Sequence, residues 1–534
     1  MKTRLVFILA ALLFGTYNLK SQESFGLSLS EFSITDLPAL QSFAWAQHDN
    51  KVIFIGGRKD GLHKRRPFEA FLATGNNAEI ILVNMNDRSV IKSSLSVLNM
   101  ALEEQLQSTN MNFEQVGDKL YIIGGYAYSA TAGDHITFDD LTIVDLPGLI
   151  SAMETNQSID AHFSQISDPI FEVTGGYLDY SDGQFYLAGG QSFMGRYNPM
   201  GPNHGPGFTQ QYTDEIRRFE IEENGGNYTL KNIKRFTSTQ VLHRRDYNMA
   251  PQRFPDGEIG FTMFSGVFQI KADLPWLDVV DLRSDSFYLR TGFEQKLNQY
   301  HSAHLVLFDT IKNANYTLFF GGMAQFYYDG SHLVEDTDVP FVKTISQVTR
   351  NANNELSELA YSLEMPSLLG AGAEFIPVHN ANFYNEYDML DVQKLPNSST
   401  LVGYVIGGIE SSAPNVFFNN AANTSWASTK LFEVYIDKGT TGITHEKTEL
   451  NELKVYPNPS TGKFKIDLKD PKLQGGSSIR LTNIKGELVR EIIIEENEQI
   501  ELNIEDLPNA QYHLQLFNGK QAISPISRLI KQKP

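Results

Sequence analysis

The sequence predicts an all-β protein, in which six small sheets pack radially and a small β-sandwich follows. Three observations carry this. A short apolar run ending in a glycine pair recurs as far as residue 408. Aromatic and β-branched residues are plentiful, while helix-period segments are scarce. Beyond residue 450 the texture changes to short alternating runs separated by turn residues.

The repeat is clearest in Leu120-Tyr121-Ile122-Ile123-Gly124-Gly125, which follows the polar turn Val116-Gly117-Asp118-Lys119. Close copies end at Gly56-Gly57, Gly189-Gly190, Gly321-Gly322 and Gly407-Gly408, and a degraded copy ends at Ser265-Gly266. Apolar runs of this length between turn residues read as buried strands. Asp-Gly, Asp-Asn and Gly-Asp ahead of them suit hairpin turns. The glycine pair lets backbones approach where a Cβ would clash. The second glycine of each copy steps by 68, 65, 76, 56 and 86 residues. One four-stranded unit needs about 40–50 residues, so each step holds one sheet plus insertions.

A third strand follows each copy, at 78–85, 140–146, 215–221, 275–282, 341–348 and 430–436. The last repeat ends there. The run at Leu27, Leu29, Phe32 and Ile34 is expected to supply its fourth strand and close the ring through the two chain ends. On these residues the segment 23–440 resembles the kelch family, which implies a six-bladed β-propeller. The late tryptophan of kelch repeats is mostly absent, and the repeats are long.

The start, Met1-Lys2-Thr3-Arg4 and then an apolar stretch to Phe14, reads as a signal peptide over 1–21. No segment is apolar and long enough for a membrane helix. The chain has 534 residues, a formal charge of −19 and no cysteine. A chain this acidic is not read as a nucleic-acid binder. The lack of cysteine removes disulfides, thiolate metal sites and the Cys–Tyr crosslink of copper-radical oxidases.

Residues 441–450 are polar and read as a linker. From 451 to 534, Phe464, Ile466 and Leu468 alternate, as do Ile479 with Leu481 and Tyr512 with Leu514 and Leu516, predicting an immunoglobulin-like β-sandwich. This segment resembles the C-terminal sorting domain of the type IX secretion system of Bacteroidetes. The resemblance rests on Tyr456-Pro457-Asn458-Pro459 with Gly462, on 481–489, on Leu507 to Tyr512, and on the basic end containing Lys531. It implies passage across the outer membrane by the type IX machinery, removal of the domain, and release or attachment at the cell surface.

Strand parity places the long insertions 58–77, 126–138, 191–213, 323–339 and 409–428 on one face. They carry cations and rings: Arg58, Arg65, Arg66, Tyr126, Arg196, Tyr197, Tyr327 and Trp426, with Arg244 from an inter-sheet connection. Guanidinium groups and aromatic platforms together suit a glycan or protein ligand. No cofactor is expected. His301 and His304 are expected on opposite faces of a strand, and Asp336 and Asp338 in a solvated loop, so no metal site is read. Two alternatives stand beside binding. One is a carbohydrate-modifying enzyme of the kelch sugar-mutarotase type, using Arg58, Arg244 and Glu410. The other is a structural surface component.

Overall fold

In the computed structural model, residues 23–438 and 454–532 are described, apart from 67, 200–202, 204, 206, 285, 379–380, 418–423, 468–476, 484–487, 495–499, 519–520 and 523–526. The expected signal peptide 1–21 and linker 441–450 lie outside the described residues. The chain divides into two compact units, 1–441 and 442–534.

The first unit consists of small antiparallel sheets. The first sheet holds Ala44–His48, Lys51–Ile55, Glu79–Asn84 and Val90–Ser94. The second holds Asn112–Val116, Lys119–Ile123, Asp140–Asp145 and Phe163–Ser167. Tyr177–Ser181, Gln184–Ala188, Glu215–Asn224 and Asn227–Thr237 make the third. The fourth is Asn248–Arg253, Ile259–Phe264, Val279–Leu282 and Phe287–Leu289. Four strands of the fifth are His304–Asp309, Ala314–Met323, Phe341–Arg350 and Leu356–Glu364. In the sixth, Leu368–Pro377, Thr400–Ser411 and Leu431–Asp437 are joined by the N-terminal strand Gly26–Phe32. That strand pairs antiparallel with the last one from Gly26 opposite Asp437 to Phe32 opposite Leu431, as the missing fourth strand required.

Each glycine-pair run is the second strand of its sheet, buried on both faces. The pairs themselves adopt left-handed backbone, for example Gly124 at φ +65° and Gly125 at +93°. In the degraded copy Ser265 still takes φ +55° ahead of Gly266.

Apolar cores lie between successive sheets. Ile53 and Ile122 share one with two short helices, Met100–Leu106 and Leu146–Glu154, that the sequence reading did not anticipate. Leu187 and Ile143 share the next, and Met249 and Tyr186 the one after. Phe264 meets Phe319 between the fourth and fifth sheets, and Leu318 meets Val405 between the fifth and sixth. Phe54 and Ile406 join the sixth sheet to the first.

Backbone hydrogen bonds run through the same order. Ser42 N–H donates to Gly372 O (2.9 Å), Asn110 to Ser42 (3.3 Å), and Gly175 to Asn110 (3.0 Å). Asp246 donates to Gly175 (2.7 Å), His301 to Asp246 (3.0 Å), and Gly372 to His301 (3.0 Å). One residue from each sheet or its lead-in thus closes a circuit of six bonds.

The second unit is two sheets around one core. Lys454–Tyr456, Lys463–Asp467 and Ile500–Asn503 form one. Ser477–Asn483 pairs with Leu488–Ile493 and Gln511–Asn518 in the other, which Ser527–Ile530 extends. Phe464, Ile466 and Leu502 from the first pack on Ile479, Leu481 and Leu514 from the second.

Candidate functional site

Beyond the glycine-pair runs of the first four sheets the chain leaves its sheet next to the lead-in strand. Short bridges hold it there: Arg58 to Gln41, Tyr126 to Thr109, Gln191 to Thr174 and Val267 to Arg245. These residues, with Phe268 in place of Val267 and with rings and cations from the long insertions, surround a cavity of about 460 Å³. Its wall carries Arg58, Arg65 and Arg245, the rings of Phe71, Tyr126, Phe193, Tyr197 and Phe268, and the amides of Gln41, Gln191 and Gln210.

The wall is braced from behind. Arg58 donates to Asp60 Oδ1 (2.7 Å) and Oδ2 (2.5 Å), to Asn76 Oδ1 (2.7 Å) and to Leu72 O (3.1 Å). The Arg245 guanidinium pairs with Asp246, donates from Nε to the Tyr212 hydroxyl oxygen at 3.1 Å, and lies 5.0 Å from the Phe268 ring centre. Burial opposes its charge, yet Asp246 holds its pKa above the usual value. Arg65 sits 4.6 Å over Phe417. Tyr126 donates its hydroxyl to Gly195 O at 2.7 Å, and burial raises its pKa. His63 packs edge-on to Tyr197 at 4.6 Å and stacks on Phe71 at 5.1 Å. Burial, with Arg245, Arg58 and Arg65 nearby, lowers it to about 4, so it is neutral at pH 7. Asp246, Asp273 and Asp338 add acceptors to the wall.

The structure therefore brings Arg58, Arg65, Tyr126 and Tyr197 together and adds Arg245 and His63. Arg66 is exposed, 3.8 Å from Glu69. Arg196 donates to Phe68 O at 3.1 Å, away from the cavity wall. Tyr327 lies on the short strand Phe326–Asp329, and the half-exposed Trp426 on the short strand Ser425–Ala427, neither lining the cavity. Arg244 is fully buried, pairing with Asp278 and donating to Ser265 O (2.8 Å) and Val241 O (2.7 Å). Glu410 is held by Lys430 (2.5 Å) and Ser428 (3.0 Å). Neither Arg244 nor Glu410 reaches the cavity. Gln41, Thr109 and Thr174 were not foreseen. The signal that marks them is their place two or three residues before the first strand of a sheet.

A second cavity of about 540 Å³ lies on the tight-turn side of the hydrogen-bond circuit. Ser42, Asn110, Asp246 and His301 of the circuit line both cavities and so separate them. The expectation for the two histidines is corrected here, because His301 and His304 both line this cavity and both approach Tyr177, at 6.1 and 6.2 Å. His301 precedes the strand, which begins only at His304, so strand alternation does not govern the pair. Among the described residues no group of three or more His, Asp or Glu side chains is disposed to hold a metal ion. Asp336 instead accepts Asn415 Nδ2 at 2.8 Å and the Asp338 amide at 2.9 Å.

In the second unit, Asn458 ties the turn to the chain end. Its Nδ2 donates to Arg528 O (2.5 Å), and its Oδ1 accepts the Ile530 amide (2.9 Å). Pro457 and Pro459 flank it. Gly462 at φ +133° stands against Glu505, where a Cβ would come within 2.9 Å of its Cα. Lys531 is buried and donates to Glu505 O (2.7 Å) and to Leu507 O.

Residues 454–532 match the family model described as a secretion system C-terminal sorting domain. That match makes this an exported chain, secreted or displayed at the cell surface, that engages the type IX secretion machinery. Among the described residues no helix is long and apolar enough to cross a membrane. No curated protein matches the chain. A solved structure titled "Structure of YjhT" is similar over 74% of this chain and 98% of its own, at 11% identity and a TM-score of 0.40. A fungal alcohol oxidase of the AA5 family in complex with copper is similar over 95% of this chain and 98% of its own, at 9% identity and a TM-score of 0.37.

Proposed function

We propose that the first unit is a six-bladed β-propeller that binds a carbohydrate in the cavity at its long-loop mouth. The closed circuit Ser42–Asn110–Gly175–Asp246–His301–Gly372 supports the blade count, since one bond from each of six sheets returns to its start. The observation that carries the binding reading is the wall itself. Guanidinium, amide and carboxylate groups alternate there with aromatic faces around about 460 Å³. That volume falls within the ~300–1,000 Å³ of small-ligand sites. Hydroxyl-rich ligands need such mixed donors and acceptors, and flat rings cover the apolar faces of sugars.

The test is a glycan array probed with the full chain, repeated with Tyr197→Ala and Arg245→Met. Retention of specific glycans, lost in both variants, is expected. A folded wild-type chain that retains none would overturn the reading.

One observation favours a second reading, a sugar-modifying enzyme: Arg58, Arg65, Arg245 and the neutral His63 lie in an enclosed cavity rather than on a flat surface. Faster interconversion of sugar anomers by NMR, abolished in Arg245→Met, would establish it.

A further inference from the structure

We propose that the second cavity, on the tight-turn side of the circuit, binds a small organic cation carrying a protonated amine. Carboxyl groups from three separate elements face into it: Glu114 from the second sheet, Asp179 from the third, and Asp388 from the segment between the first two strands of the sixth. No lysine or arginine stands among its lining residues. Glu114 and Asp388 make no side-chain hydrogen bond or ion pair among the described residues, so neither carboxyl group has a partner there.

The rings supply the second half of the argument. Trp45, Phe113, Tyr177, Tyr180 and Tyr387 line the same space. Aromatic faces attract ammonium groups through the negative potential of the ring. Carboxylates among rings therefore suit an organic cation better than a bare divalent ion, which needs clustered oxygens that the described residues do not provide. A third sign is Asn112 on the wall. It is buried, its amide donates to Ile123 O and Val173 O (both 3.1 Å), and its Oδ1 accepts nothing. Burial, followed by repulsion from Asp179 and Asp388, pushes Glu114 well above the usual carboxyl range, and burial pushes Asp388 to about 6. A bound ammonium relieves both effects. His301, His304, Glu374, Glu386, Asp182, Asp246 and Tyr247 complete the titratable groups of the wall.

The test is calorimetry on the full chain at physiological salt, with butane-1,4-diamine, tetramethylammonium and Ca²⁺ as probes. Saturable one-site binding of the diamine is expected. Glu114→Gln combined with Asp179→Asn should weaken it by about tenfold or more. Asp388→Asn, a milder change at the cavity, should weaken it less. Asp87→Asn with Glu222→Gln, acids outside the cavity, should leave it unchanged. Absence of diamine binding by the folded wild type would overturn the proposal. So would equal loss in the control pair, or binding of Ca²⁺ without either amine.

Discussion

His301 Nε2 stands 3.1 Å from Glu374 Oε1, while His304, three residues on and in the same cavity, has no carboxylate at that distance. Burial works against the charge on both rings. For His301 the Glu374 charge and hydrogen bond outweigh it, and the pKa is raised above 6.5. For His304 burial wins and the value falls to about 4. Imidazole proton shifts followed by NMR should show His301 charging above pH 6.5 and His304 staying neutral to about pH 4. The reverse order would contradict the pairing.

The carboxyl groups of the same cavity make a stability prediction. Glu114 and Asp179 have folded pKa values well above the usual range, from burial first. The unfolded chain releases these protons at about pH 4. Their protonated forms favour folding, so that contribution is complete below about pH 4 and is lost as pH rises through the folded values. At pH 8, Glu114→Gln with Asp179→Asn should therefore raise the thermal midpoint, and at pH 4 the gain should vanish. Midpoints measured at both pH values check the sign.

Gly124 and Gly117 separate a required glycine from a convenient one. Both have left-handed backbone, at φ +65° and +59°. A Cβ at Gly124 would overlap the Val173 carbonyl oxygen, whereas nothing lies within 4 Å of one at Gly117. Gly117→Ala should cost about 1–2 kcal/mol, the left-handed penalty alone. Gly124→Ala should cost more than about 4 kcal/mol, because backbone must move between two sheets. Urea unfolding of the two variants makes the comparison.

That contrast also explains what the sequence made legible. Paired glycines after apolar runs are a backbone requirement of each sheet, so they recur and mark its second strand. The pairing of the N-terminal strand Gly26–Phe32 with the last repeat was legible from parity, since that repeat lacked a fourth member. The helices Met100–Leu106 and Leu146–Glu154 were hidden, because seven- and nine-residue segments are too short to display a helical period. The mouth was only half legible. Arg65 and Tyr197 stood out as residue types on long loops. Arg244 and Arg245 are neighbours in sequence, yet one is locked beneath Asp278 and the other lines the cavity. Only the packing of the fourth sheet separates them. The His301–His304 expectation failed because periodicity was applied across the start of a strand.

The N-terminal strand should be needed for the fold of the whole first unit. Phe25, just ahead of it, is buried and meets Tyr316 of the fifth sheet edge-on at 4.9 Å. Phe25→Ala should cost about 3–5 kcal/mol. Deleting residues 23–32 should do more, leaving Leu431–Asp437 as an open edge. The deleted chain is expected to self-associate, as read by light scattering. A monomer with unchanged unfolding would show that the pairing of Gly26–Phe32 with Leu431–Asp437 is dispensable.

Lys531 should hold the sorting unit together. Its buried ammonium donates to the Glu505 and Leu507 carbonyl oxygens, which bracket the turn after Ile504. Methionine at this position keeps the stem but leaves two buried acceptors unmet, at about 1–3 kcal/mol each. Lys531→Met should therefore lower the unfolding midpoint of the second unit and leave that of the first unchanged. Export should fall with it. Hydrogen exchange of the Gln511–Asn518 strand reports the first effect, and the share of protein reaching the medium or cell surface reports the second. Unaltered exchange with lost export would instead make Lys531 a contact for the secretion machinery.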